Sequence, residues 1–300
     1  MPQARDRSGY KDPEAKMKFS LSKELRVKDA CEALGLRFRG EDQLITSVGN
    51  LSVLEPGVIG FSVKVLPSVI DGIVIAPKEQ EARTLIFSER PRWDFCRLSS
   101  WLEADGYLQQ SRVPSKIHDS CEIAESAIIE PNVTIGENSK ISSNVVIRSN
   151  TEIGSNCIIR ENTVIGAEGF GFEQGPEGSW IRFPHLGGVK IGDNVELGAL
   201  NSVCRGALGD TLIGHGVKTD NLVHIAHNCI LGNHCVVTAC AEFSGGVRLG
   251  DRVWVGPNCS LMEKIEIGDD SLVGLGSVVL KSLPANVIAA GSPAKIIRER

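Results

Sequence analysis

Residues 117–165 read IHDSCEIAESAIIEPNVTIGENSKISSNVVIRSNTEIGSNCIIRENTVI, and every sixth position is isoleucine: Ile117, Ile123, Ile129, Ile135, Ile141, Ile147, Ile153, Ile159 and Ile165. The beat resumes at Ile191, Leu197 and Val203. It slips once, because ten residues rather than six separate Val203 from Ile213, and then runs through Thr219, Ile225, Leu231, Val237, Phe243, Leu249, Val255, Leu261, Ile267 and Val273 to Val279. A period of six suits neither an amphipathic helix, which repeats every 3.6 residues, nor a lone strand, which repeats every 2. It is the mark of a hexapeptide-repeat β-helix, in which short strands stack coil on coil with the beat residue pointing inward. One coil cannot bury its own apolar face, so the array stands as a stack.

The rest of the chain surrounds that array. Three hundred residues suggest two domains. Residues 17–105 lack the beat and read as a small α/β domain. Val27 to Leu36 has the pattern of an amphipathic helix closed by Gly35, and Arg92 to Leu102 that of a second helix. Leu44 to Val48, Val58 to Val63 and Val69 to Ala76 read as strands, separated by Pro56-Gly57 and Asp71-Gly72. The expected fold is therefore mainly β, a parallel β-helix over 106–283 preceded by the α/β domain, with a tail at 284–300 where the beat fades. Residues 168–187 interrupt the repeat with Phe170, Phe172 and Trp180. An insertion in a repeat array maps to a loop on one face, often the binding face.

Composition narrows the function. A formal net charge of −5 argues against nucleic acid as the main partner. No run of 18 apolar residues is present to span a bilayer. Residues 1–16 are polar and charged, without the apolar core of a signal peptide, and read as a disordered extension of a cytoplasmic protein. Nine cysteines without a CxxC pair suit buried thiols better than disulfides or zinc.

Histidine is concentrated where chemistry could sit. Four of the six lie between 215 and 234, and the densest stretch is Thr219-Asp220-Asn221-Leu222-Val223-His224-Ile225-Ala226-His227-Asn228. Ile225 is a beat residue, so His224 and His227 can both face outward. A histidine oriented by a carboxylate, here Asp220, is a general base. His224 and His227 could equally supply two ligands to zinc, as in the hexapeptide prisms of gamma-class carbonic anhydrases, but no third ligand has matching spacing. A sugar-nucleotide-binding scaffold without catalysis is the remaining alternative.

The ordered string Gly169-Phe170-Gly171-Phe172, Trp180, Gly188 to Ala199, Arg205-Gly206-Ala207-Leu208-Gly209-Asp210-Thr211 and Asp220 to Asn228 resembles the UDP-3-O-acylglucosamine N-acyltransferase family of lipid A biosynthesis. Leu51 to Phe61 and Pro91 to Leu102 resemble that family's uridine-binding domain. The resemblance implies a homotrimer of left-handed β-helices that transfers a 3-hydroxyacyl chain from acyl carrier protein to the amine of a UDP-linked glucosamine, with sites between subunits and no bound cofactor. It implies His227 as general base, Asp220 as its orienting carboxylate and the Gly245 N–H as oxyanion donor. Phe61 falls at a nucleotide-stacking position, and Phe170, Phe172, His224 and Asn221 are further candidate substrate contacts. Three positions depart from the family pattern: Cys204 stands where Asp is usual, Glu263-Lys264 where a second histidine is common, and the ending Gly291-Ser292-Pro293-Ala294-Lys295-Ile296-Ile297-Arg298 replaces a helical extension. That ending is similar to coenzyme-A-dependent sugar acetyltransferases, so coenzyme A stays open as the donor's carrier.

Overall fold

A computed structural model describes residues 18–109 and 113–300. The expected extension at 1–16 lies outside the described residues. The chain divides into two compact units, and residues 171–186, inside the insertion, group with the front unit rather than with the β-helix.

The front unit is a six-stranded sheet with two helices. The strand order is Lys18–Arg26, Leu44–Gly49, Val58–Phe61, Ile70–Ala76, Ala82–Phe87 and Arg37–Gly40. The four central strands run parallel and the two edges antiparallel. The first helix spans Val27–Leu34 and buries Val27, Ala30, Cys31 and Leu34. Gly35 ends it in a left-handed conformation at φ 68°, and Leu36 N–H donates back to Cys31 O over 2.9 Å. The second helix, Pro91–Ala104, opens on a proline, whose missing N–H costs nothing in a first turn. Phe172–Gln174 and Trp180–Arg182 form an antiparallel hairpin.

In the other unit three parallel walls of eight short strands each follow one another round the coil, the second wall gaining two more strands at the end. Val133 pairs with Thr151, eighteen residues on, and Val146 with Val164, so one coil is three hexads. From Ile135 to Val279 every beat residue is buried. Each such isoleucine contributes about 1.5–3 kcal/mol by leaving water. Ile117 and Ile123 are each 37% exposed, because they belong to the first coil of the stack.

Two further ladders complete the repeat. Two residues before the beat comes a small buried residue, such as Ser139, Cys157, Thr163, Cys229, Cys235 or Cys259. Its side chain donates to a corner carbonyl of the next coil: Ser139 Oγ to Gly154 O at 2.9 Å, Cys157 Sγ to Gly192 O at 3.2 Å, Cys235 Sγ to Gly250 O at 3.1 Å. Three residues before the beat the chain turns through a left-handed corner, occupied by asparagine at 132, 138, 144, 150, 156 and 162. Asparagine tolerates that conformation better than other side chains. Beyond Val279, Val287–Gly291 pairs in parallel with Leu272–Val273, and Ala294–Glu299 folds back on it antiparallel.

Candidate active site

Both irregularities of the β-helix fall on one edge, the corner that follows the third wall. The insertion leaves that corner after Val164–Ala167 and returns at Val189–Ile191. One coil further, Val189 pairs with Thr211, an offset of 22 residues instead of eighteen, so the loop at 204–210 widens the same corner. His227 occupies this corner on the next coil, between the strands His224–Ile225 and Ile230–Leu231.

Above His227 the corner is glycine. A Cβ on Gly245 would come 2.6 Å from His227 Cε1, 2.8 Å from Nε2 and 3.3 Å from Nδ1, so the imidazole lies against the bare face of that residue. Gly246 N–H donates to His227 O at 2.9 Å, and Lys264 N–H to Gly245 O at 3.0 Å, which stacks three successive corners. Glu263 and Lys264 are exposed one coil higher.

Below His227 the widened loop is tied down from several directions. Arg205 is buried, with its Nε donating to Gly166 O at 2.7 Å and a terminal nitrogen to Ser149 O at 3.1 Å. Burial, then the nearby Arg148, pull its pKa below the ordinary guanidinium value, while Glu130 and Glu168 act the other way. Burial also opposes ionisation of Glu130, but the Ser149 N–H and the Arg148 guanidinium together hold its carboxyl below the usual range. Asp210 is buried, accepting from Gly188 N at 2.7 Å, with Lys190 Nζ 3.4 Å from its other oxygen. Asn228 joins the loop to the histidine: its Oδ1 accepts from Ala207 N at 3.0 Å and lies 3.1 Å from His227 Nδ1.

The structure brings His227 and Gly245 together and separates Asp220 from them. Asp220 stands at the corner before the strand His224–Ile225 and His227 at the corner after it. Four extended residues lie between the corners, roughly 13 Å at about 3.3 Å per residue. Within one chain, then, the expected Asp220–His227 contact is replaced by Asn228, and Asp220 Oδ1 accepts from Asn221 N at 2.7 Å. Asn221 Oδ1 accepts from Ala199 N at 2.8 Å and caps the corner beneath it. His224 is half-buried on the outer face of the third wall, in register between Ser202 and Glu242. Phe170 is 90% exposed. In the front unit the Phe61 ring packs against Phe95 and Phe183 at 4.8 and 5.9 Å, and the Arg182 guanidinium lies 4.7 Å from the Phe172 ring. Among the described residues no three His, Cys, Asp or Glu side chains are grouped to hold a metal ion.

Comparison with known proteins agrees with this architecture. The family model described as bacterial transferase hexapeptide (six repeats) matches residues 114–149, 132–167 and 210–245. A protein of Delftia acidovorans named UDP-3-O-acylglucosamine N-acyltransferase is 41% identical over 236 residues, covering 73% of this chain and 69% of that protein. This chain belongs to the UDP-3-O-acylglucosamine N-acyltransferase family. It is accordingly an acyltransferase. A relative of the same name from Methylobacterium nodulans is 41% identical over 132 residues, 44% of this chain and 37% of its own length. A UDP-N-acetylglucosamine acyltransferase from Campylobacter jejuni shares the fold, with a TM-score of 0.52 at 24% identity over 61% of this chain and 75% of that one.

For this member of the N-acyltransferase family, sequence reasoning passed over two groups at the corner. Asn228 and Arg205 were legible only as members of the family motif. The slip itself was the available signal, since four extra residues in a regular coil must be anchored by something.

Proposed function

We propose that this chain transfers a 3-hydroxyacyl group from a thioester, carried by acyl carrier protein or coenzyme A, to the amine of a UDP-linked glucosamine derivative. This is the N-acylation step of lipid A biosynthesis, carried out by a cytoplasmic homotrimer. The observation that carries the reading is the His227 imidazole lying against Gly245, a proton acceptor packed on a glycine whose missing side chain lets the ring approach the backbone.

The acceptor nitrogen attacks the thioester carbonyl and its proton passes to His227. The carbonyl oxygen becomes an oxyanion, and the Gly245 N–H is assigned to hold it; one such donor is typically worth about 3 kcal/mol. Collapse of the tetrahedral intermediate breaks the C–S bond, and the departing thiolate takes the proton from the imidazolium. Asp220 is too far along its own coil to serve the His227 of the same chain, so its assigned role is to orient the His227 of a neighbouring copy. The nucleotide is assigned to the front unit, with Phe61 as stacking residue and Phe172, which groups with the same unit, as a further contact. Phe170, Asn221 and His224 are assigned to the substrate on the β-helix.

A thiol-release assay with UDP-3-O-acylglucosamine as acceptor tests this. Turnover with 3-hydroxyacyl carrier protein is expected. Turnover with acetyl-CoA alone would replace the donor and the pathway, and no thioester cleavage with any amino-sugar nucleotide would leave a binding scaffold.

A further inference from the structure

The widened corner at 204–210 has no part in the chemistry so far, yet it is built against the residue next to the base. At the two corners above, the left-handed residue donates its N–H to a backbone carbonyl of the coil below, Gly246 to His227 and Lys264 to Gly245. Asn228 breaks that pattern. Its N–H donates to Thr211 Oγ1 at 2.9 Å, while its side chain spans the wide loop, Oδ1 accepting from Ala207 N at 3.0 Å and Nδ2 donating to Gly209 O at 3.4 Å.

Those two contacts fix which end of the amide is oxygen. A backbone N–H can only donate and a backbone carbonyl can only accept. The atom facing Ala207 is therefore Oδ1, and the same Oδ1 lies 3.1 Å from His227 Nδ1. An oxygen at that distance requires the hydrogen to be on Nδ1, which leaves Nε2 as the nitrogen with the lone pair. Nε2 is also one of the two ring atoms nearest Gly245, 2.8 Å from where a Cβ would stand.

We propose that Asn228 is a positioning residue for the acyl transfer, and that the four-residue widening at 204–210 exists to hold its amide so that His227 is kept in the Nδ1–H tautomer, with Nε2 as the proton acceptor. This rests on the reading of His227 as the base. It also gives the slip a purpose: the widened loop presents a backbone N–H at Ala207 and a carbonyl at Gly209 to the two ends of one side-chain amide.

The test is ¹⁵N NMR of protein labelled at histidine, with the His227 signals assigned by their loss in His227→Ala, together with steady-state kinetics. The wild type is expected to carry the hydrogen on Nδ1. Asn228→Gly keeps the left-handed corner without strain and removes the amide. It should let the hydrogen move to Nε2 and lower kcat by about 10²-fold or more, with KM for the nucleotide acceptor within about threefold, since loss of a tautomer-setting partner acts on the chemical step. Asn228→Asp keeps an acceptor facing both Ala207 N–H and Nδ1, so it should restore the Nδ1–H form and bring kcat back to within about tenfold of wild type. A wild-type ring protonated on Nε2, or an Asn228→Gly protein with unchanged tautomer and kcat, overturns the proposal. If His227→Ala itself keeps full activity, the base assignment falls instead, and the tautomer measurement still decides what Asn228 does.

Discussion

The His227 ring and the Gly245 backbone face each other so closely that a single methyl group on Gly245 would stand 2.6 Å from Cε1 and 2.8 Å from Nε2. The two residues occupy the same corner on successive coils, eighteen positions apart in a sequence whose coil is eighteen residues long. The repeat that builds the stack therefore also sets the base against the residue whose N–H is assigned to the oxyanion.

Gly245→Ala should separate stability from catalysis. Gly245 has no left-handed backbone, so alanine is conformationally allowed and the clash falls on a half-buried imidazole that can swing aside. A displacement of about 1 Å at a reacting group can cost about 10²-fold in rate. The expected result is a fall in kcat of that order with a melting temperature within a few degrees of wild type, read by thiol release and by circular dichroism.

Phe243 is the largest beat residue and is fully buried on the strand just before that corner. Phe243→Ala removes an aromatic ring from a stack that cannot close over the gap. A loss of about 3–5 kcal/mol is expected, measured by denaturant unfolding at fixed protein concentration.

The cysteines should divide sharply by reactivity. Burial pushes the Cys229 and Cys235 thiols up to about 12, whereas Cys240 is exposed at a corner. At pH 8 a thiol of pKa 12 is thiolate in only about 1 part in 10⁴. A disulfide reagent should therefore label Cys240 in the folded protein and reach Cys229 and Cys235 only after unfolding. The sign of the linkage follows. These folded thiols sit above the ordinary value of 9.0, so the unfolded chain releases protons first and stability falls as pH rises from about 9 towards 12. Stability constant across that window would contradict the burial of these groups.

Asp220 and His227 make a test of shared sites possible. If the carboxylate serves a neighbouring copy, co-expressed His227→Ala and Asp220→Ala chains should form mixed assemblies in which some sites hold both wild-type residues. Activity above that of either variant alone is expected. Mixed assemblies with no gain would confine the two residues to separate tasks.

The sequence carried the β-helix because its period belongs to no other regular structure and survives both interruptions. The second ladder, of small residues two positions before the beat, was equally periodic, and it accounts for Cys121, Cys157, Cys229, Cys235 and Cys259 as members of the columns that line the three walls rather than as scattered thiols. The strands Lys18–Arg26 and Arg37–Gly40 escaped because both are sheet edges, largely exposed and rich in charge, where little burial imposes an apolar pattern. The first helix stops at Leu34, two residues short of the expected Leu36, because Gly35 takes the left-handed conformation that ends it. At the site, a spacing of seven could not reveal that Asp220 and His227 turn different corners. Nor could it show that the neighbouring Asn228 reaches across a widened loop to Ala207 and Gly209, since those contacts depend on where four extra residues bulge.

The most direct measurement is the steady-state rate of His227→Ala with carrier-bound 3-hydroxyacyl thioester and UDP-3-O-acylglucosamine, on protein shown by circular dichroism to be folded. A fall in kcat of at least about 10²-fold is expected, in the range a general base supplies, with KM for the nucleotide little changed. Near-wild-type turnover by that variant would contradict the assignment of His227 as the base on which the site is built.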